Sequence, residues 1–256
     1  MRDNLWQKYK SFRLAVQLMS KNVFRIFFKT TLSGSELKNI PVIINNRNRL
    51  TFLKQLIEWF EKAGMKNIYI LDNDSSYPLL LDYYKTITHK IIYLKKNIGY
   101  TALWDSPQFH ELKKSYYIYT DPDVFPVENC PIDFVNHLYD ILKKHPEVEK
   151  VGLGLIIDDL PDHYSSKKQV LELEGKYWRK KITEDLYDAD VDTTLALYRP
   201  FAEGNAETCK AYRTTGKYML RHLPWYVNSG DLSEEEIFYR NNVSKTSAYW
   251  SNLDKK

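Results

Sequence analysis

Tyr116-Tyr117-Ile118-Tyr119-Thr120-Asp121-Pro122-Asp123-Val124 is a run of β-prone residues that stops abruptly in two carboxylates one residue apart. A buried strand whose C-terminal end delivers acids into a cleft has this form. In open α/β sheets, ligands bind just outside the carboxyl ends of the strands. Two aspartates at i and i+2 can share one hard divalent cation, directly or through water, and leave positions open for phosphate oxygens. Pro122 fixes its own φ and stiffens the spacer. Asp and Pro are also ordinary turn residues, so the same run taken alone fits a solvated turn.

The surrounding chain supplies the context. Ile40-Pro41-Val42-Ile43-Ile44-Asn45-Asn46 reads as a first strand, and residues 50–63 as an amphipathic helix with Leu53, Leu56, Ile57 and Phe60 on one face, stopped by Gly64. Asn67-Ile68-Tyr69-Ile70-Leu71 is a second strand, residues 77–87 a helix, and Lys90-Ile91-Ile92-Tyr93-Leu94 a third strand. Tyr116–Thr120 is then the fourth. Residues 132–144 and 170–181 read as helices, and residues 150–157 and 193–198 as strands. This alternation predicts βαβ units, a mainly parallel Rossmann-like sheet, and helices on both faces.

The chain has 256 residues, two cysteines and a net charge of +4. Cys130 and Cys209 are far apart and form no CxxC pair, which argues against a disulfide framework or zinc site and fits a reducing compartment. The charge is uneven. Residues 1–40 hold eight Lys/Arg against two acids, so the remainder carries −2. Within residues 4–29, Leu5, Trp6, Tyr9, Phe12, Val16, Met19, Val23, Phe24, Phe27 and Phe28 recur at helical spacing with cations between them. This predicts an N-terminal amphipathic helix, lying either on an anionic membrane surface or on the protein's own core. Confinement of the positive charge to that head argues against a nucleic-acid partner. No apolar run reaches transmembrane length.

Polar residues close successive strands: Asn45-Asn46-Arg47, Asp72-Asn73, Asn97 with Gly99, and Asp121/Asp123. In a doubly wound sheet these ends line one rim. Asp72 and Asn73 suit hydrogen bonds to a base or ribose, Arg47 suits phosphate, and Gly99 permits close backbone approach. Trp104, Trp178 and Trp225 are candidate sugar-stacking platforms.

The ordered set Pro41-Val42-Ile43-Ile44-Asn45-Asn46-Arg47-Asn48-Arg49, Leu71-Asp72-Asn73-Asp74-Ser75, Asn97-Ile98-Gly99 and Tyr119-Thr120-Asp121-Pro122-Asp123 resembles a GT-A glycosyltransferase. It is most similar to the family 2-like enzymes of bacterial polysaccharide and lipopolysaccharide synthesis. The likeness is good over residues 38–130 and looser to about 230. It implies a GT-A domain over 38–256, with a nucleotide-sugar half (38–130) and an acceptor half (131–256), behind the basic segment 1–33. It implies that Asp72 and Asn73 meet the base, that Asp121 lies toward ribose and metal, and that Asp123 is the firmest ligand of Mn²⁺ or Mg²⁺. His222 looks like the histidine that the C-terminal region adds to the metal. The donor implied is a nucleoside diphosphate sugar, UDP-sugar first. The acceptor implied is a glycan or lipid-linked sugar, at the cytoplasmic face of a membrane.

One departure stands out. The Glu-Asp pair that supplies the base in inverting members is absent. Asp158 and Asp159 rank first as substitutes, then Asp192. Glu234-Glu235-Glu236 reads as a solvated helix start. Two rival functions remain. A nucleotidyltransferase normally needs a glycine-rich loop after the first strand, and Asn45–Arg49 has no glycine. A non-catalytic nucleotide- or glycan-binding module would not need both aspartates.

Overall fold

The computed structural model describes residues 31–204 and 209–243, with Val16 and Met19 besides. The chain divides into two units, Met1–Glu36 and Leu37–Lys256. The amphipathic segment expected over 4–29 lies almost wholly outside the described residues. Among the described residues no helix is long and apolar enough to cross a membrane.

The second unit is built on one ten-stranded sheet. Its strands are β1 Pro41–Asn46, β2 Asn67–Asp72, β3 Lys90–Tyr93, β4 Tyr117–Thr120, β5 Val124–Pro126, β6 Lys150–Leu155, β7 Lys181–Thr183, β8 Leu186–Asp188, β9 Ala196–Tyr198 and β10 Ala211–His222. Six helices accompany them: α1 Thr51–Lys62, α2 Pro78–Tyr84, α3 Ala102–Asp105, α4 Phe134–Lys144, α5 Lys167–Glu174 and α6 Glu234–Asn242. The order across the sheet is β3-β2-β1-β4-β9-β6-β10-β8-β7, with β5 paired to β10. Strands β3, β2, β1 and β4 run parallel, as do β6 and β10, while β9 enters antiparallel between β4 and β6. This is the mainly parallel, Rossmann-like α/β architecture that the strand-helix alternation predicts. The chain leaves β1 toward β3 and returns to β4 on the other side of β1, so a crevice opens above the C-terminal ends of β1 and β4.

Burial follows the strand period. Ile43, Leu71, Tyr117, Tyr119 and Tyr198 join Leu103 of α3 in one buried cluster. The intervening Val42, Ile44, Ile70 and Ile118 are equally buried, as expected for strands covered on both faces. The rings of Tyr117 and Tyr198 stack across β4 and β9, 5.0 Å apart. Helix α1 turns Leu53, Leu56, Ile57 and Phe60 inward, and its Trp59 and Phe60 meet Phe134 of α4.

Three stretches differ from the sequence expectation. The helix read over 170–181 ends at Glu174 and tightens into a 3₁₀ turn, Gly175–Trp178, before β7 begins at Lys181. The strand read over 193–198 starts only at Ala196, which frees Thr193 and Thr194 for other bonds. The longest strand, β10, carried no clear period. Its register shifts between Thr214 and Met219, and Gly216 sits there at φ +69°, so alternation breaks in mid-strand. Gly152 and Gly154 are explained by packing. A Cβ at Gly154 would collide with the Thr214 carbonyl and the Trp178 ring, and one at Gly152 with Val191.

Candidate active site

A cavity of about 1100 Å³ opens at the switch point between β1 and β4. Asn45, Arg47, Asn73, Asn97, Gly99, Asp121, Asp123, Asp192 and His222 line it, residues drawn from separate strand ends and loops.

Asp121 follows the last residue of β4. Its N–H bonds the Thr193 carbonyl at 2.9 Å, and the Thr193 hydroxyl donates to its Oδ2. Burial and the neighbouring Asp123 carboxylate push its pKa well up; the Thr193 bond opposes the shift, and Asp192 adds to it. Two adjacent carboxylates in a half-buried cavity repel each other, and that repulsion favours a proton or a cation between them. Asp123 leads into β5, which pairs antiparallel with the end of β10 in the register His222↔Val124. This pairing, closed by a 2.8 Å bond from Leu223 N to the Asp123 carbonyl, brings His222 Nε2 to 3.8 Å from Asp123 Oδ1. The His222 Nδ1 is buried without a partner, its ring packs on Trp225, and burial lowers its pKa. Among the described residues no cluster of three or more His, Cys, Asp or Glu side chains is drawn together tightly enough to cage a metal ion.

The opposite wall is a polar clamp. Asn73 Oδ1 accepts from Ile98 N at 2.7 Å, and its Nδ2 donates to the Gly99 carbonyl at 2.8 Å. Asn97 Oδ1 accepts from Gly99 N at 2.9 Å. Gly99 sits at φ +87°, a conformation glycine adopts without strain. Asn45, which lines the cavity, reaches the same carbonyl with its Nδ2 at 3.2 Å, and its Oδ1 is buried without a partner.

The structure separates some residues that the sequence grouped. Asp72 does not line the cavity. It is 3 % exposed, and its Oδ1 accepts from Ser75 N, closing the turn after β2. Asp158 and Asp159 are also outside the lining. Asp159 is held by Arg221 at 2.7 Å and by the Tyr226 hydroxyl. Trp178 packs on Gly154 rather than on the cavity, whereas Trp104 and Trp225 line it. Helix α6 is not a solvated start. Ser233 caps it, accepting from Glu236 N, but Glu235 and Glu236 are buried. Glu235 accepts from Leu50 N, Thr51 N and the Thr51 hydroxyl, and so caps α1.

Several lining residues were not singled out from sequence. Glu174 pairs with Arg213 at 2.7 Å, and Asp190 with the buried Lys150 at 3.5 Å. Asp192, which the sequence did offer as a candidate base, lines the cavity with them; it is exposed and has no hydrogen-bond or ion-pair partner among the described residues. Arg49 is 2 % exposed and lines the cavity with Tyr239 of α6. Its signal was visible in the Arg47-Asn48-Arg49 run. Asn48 turns the chain at φ +54°, a conformation asparagine tolerates, and its Oδ1 holds the backbone of Ser76 and Tyr77.

No family model matches the chain, and no curated protein matches it. Among solved structures, 69 chains match. One is a crystal structure of GalNAc-T7 with UDP, GalNAc and Mn²⁺, at 14% sequence identity and a TM-score of 0.47. The match covers 79% of this chain and 47% of that one, so this chain spans about half the length of that protein.

Proposed function

We propose that the chain is a metal-dependent glycosyltransferase. It moves a sugar from a nucleoside diphosphate sugar, UDP-sugar first, to a hydroxyl of a glycan or lipid-linked acceptor in cell-surface polysaccharide synthesis. The observation that carries this reading is the placement of Asp121 and Asp123 at the end of β4, at the sheet's switch point, with His222 beside them.

The donor types, though not drawn together into a three-ligand cage in this structure, are those of a hard or borderline divalent cation. Two carboxylates and an imidazole suit Mn²⁺ or Mg²⁺ and leave positions for phosphate oxygens and water. Burial first, and the Asp123 carboxylate second, raise the pKa of Asp121, and a cation at this point would favour its charged form. Asp121, Asp123 and His222 would hold the ion, which would supply positive charge opposite the leaving diphosphate.

The protein's own residues do the rest. Asn45, with an unpaired Oδ1, is a candidate contact to the nucleoside, and Asn73 holds the 97–99 loop that shapes the cavity. Trp104 and Trp225 give the cavity flat apolar walls. Of the carboxylates considered as base, only Asp192 lines the cavity, so it is assigned the proton of the attacking hydroxyl.

A donor screen tests the reading. Thermal shift and calorimetry with UDP, GDP and their sugars are compared with and without Mn²⁺. A nucleoside diphosphate that binds N and not U raises the melting temperature by mass action. Absence of any such shift with Mn²⁺ overturns the assignment.

A further inference from the structure

The Arg49 guanidinium is buried, yet only part of it is used. Nη1 is paired with Glu236 of α6, while Nε and Nη2 are buried without a hydrogen-bond partner. Those two atoms form the side-on edge of the guanidinium fork, the edge that meets two oxygens of one phosphate or carboxylate. The plane of the group rests on the Tyr239 ring, with Cζ 3.3 Å from the ring centroid. Phe52 lies on it too, at 5.3 Å. Glu236 is itself held by Arg240 at 2.7 Å. Buried donors left unpaired cost free energy, and the residue that carries them lines the cavity together with Asp123.

We propose that Arg49 is a phosphate-gripping residue of this cavity, engaging the diphosphate of the donor through its Nε–Nη2 edge, and that α6 sets its aim. Glu236 is a positioning residue, fixing Nη1 so that the opposite edge faces the ligand. Tyr239 fixes the plane. Helix α6 is therefore part of the donor site although it lies nearly 190 residues beyond Arg49 in the chain. The inference deepens the transferase reading and rests on it for the identity of the diphosphate. It adds a phosphate contact that needs no metal.

The test is calorimetry on the full chain with UDP, GDP and inorganic pyrophosphate, each in Mn²⁺ and in EDTA. Wild-type protein should retain measurable diphosphate affinity in EDTA. Arg49→Lys keeps a charge but loses the fork, and should bind ten- to a hundredfold more weakly in EDTA while keeping the factor by which Mn²⁺ raises affinity. Asp123→Asn should do the reverse and lose that factor. A merely structural role for Arg49 would depress both quantities together. Glu236→Gln, which keeps shape but not charge, should weaken binding in EDTA several-fold. It carries the test if Arg49→Lys does not fold. Diphosphate affinity in EDTA unchanged in Arg49→Lys, or in Glu236→Gln, overturns the proposal and leaves the transferase reading standing. Pyrophosphate binding that depends on Arg49, with no nucleoside diphosphate bound under any metal, supports the anion site and overturns the transferase reading.

Discussion

Asp192 and Asp72 show how one side chain's surroundings decide its role. Asp192 lines the cavity and is exposed, without a partner among the described residues. Asp192→Asn should lower turnover by roughly 10²–10⁴-fold, the usual worth of a general base, with donor affinity little changed. Steady-state rates with the donor found in the screen, set beside its Kd, check this. Equal turnover in the variant would remove Asp192 from the chemistry. Asp72 was read from sequence as a base-binding acid. Its carboxylate instead closes the turn to Ser75 beneath the rim. Asp72→Ala should therefore cost stability, about 1–3 kcal/mol for a buried bond lost, and leave nucleotide affinity near wild type. Urea melts and UDP titration separate the two effects.

At the scale of elements, α6 ties the end of the described chain back to its first βα unit. Glu235 caps α1 with bonds of 2.8 Å to Leu50 N and 2.6 Å from the Thr51 hydroxyl. Arg47 Nη1 donates to the Asn242 carbonyl at 2.8 Å, and Phe238 packs on Tyr77 at 4.9 Å. Helix α1 begins at Thr51 with no side-chain cap from its own neighbour, so a distant carboxylate does that work. Glu235→Gln leaves one acceptor but removes the charge that the helix N-terminus favours. The expected loss is about 1–2 kcal/mol, read as a lower urea midpoint at unchanged slope. An unchanged midpoint would mean that α6 contributes no cap.

Across the whole molecule, stability should depend on pH through partly buried histidines such as His137. His137 of α4 stacks on Tyr218 at 3.8 Å, and burial lowers its pKa, against a smaller opposing pull from Asp185, Asp133 and Asp140. The sign is fixed by linkage. Below the ordinary histidine value of about 6.5, the unfolded chain takes up a proton that the folded one resists, so stability falls as pH falls from there toward the lowered value. His137→Phe keeps a ring on Tyr218 and should flatten that slope, compared by melting temperatures at pH 7.5 and 5.5. An identical slope would assign the dependence to other groups. The basic segment 1–33 is a separate matter. If it docks the protein on an anionic membrane, the 256-residue chain floats with anionic vesicles at low salt and a chain starting at Ser33 does not. Equal flotation of the two would remove the docking role.

The local sequence determined the ends of the central strands and the acids they deliver. Strands β1, β2, β3 and β4 are apolar runs with polar stops, and Asp121-Pro122-Asp123 marks the end of β4 without reference to anything distant. Tertiary structure decided which polar residues at those stops reach the cavity. Side chains alternate along a strand, and what covers each one comes from elsewhere. Asp72 turns to Ser75 and leaves the rim to Asn73, and Asp159 is taken by Arg221 and Tyr226. The sequence offered Arg47 for phosphate and not Arg49, whose burial and unpaired edge depend on Glu236 and Tyr239. The pairing of β5 with β10, which sets His222 beside Asp123, joins segments nearly a hundred residues apart across a register break at Gly216. No local period encodes a contact of that kind, because its energy comes from groups that meet only once the sheet has closed around them.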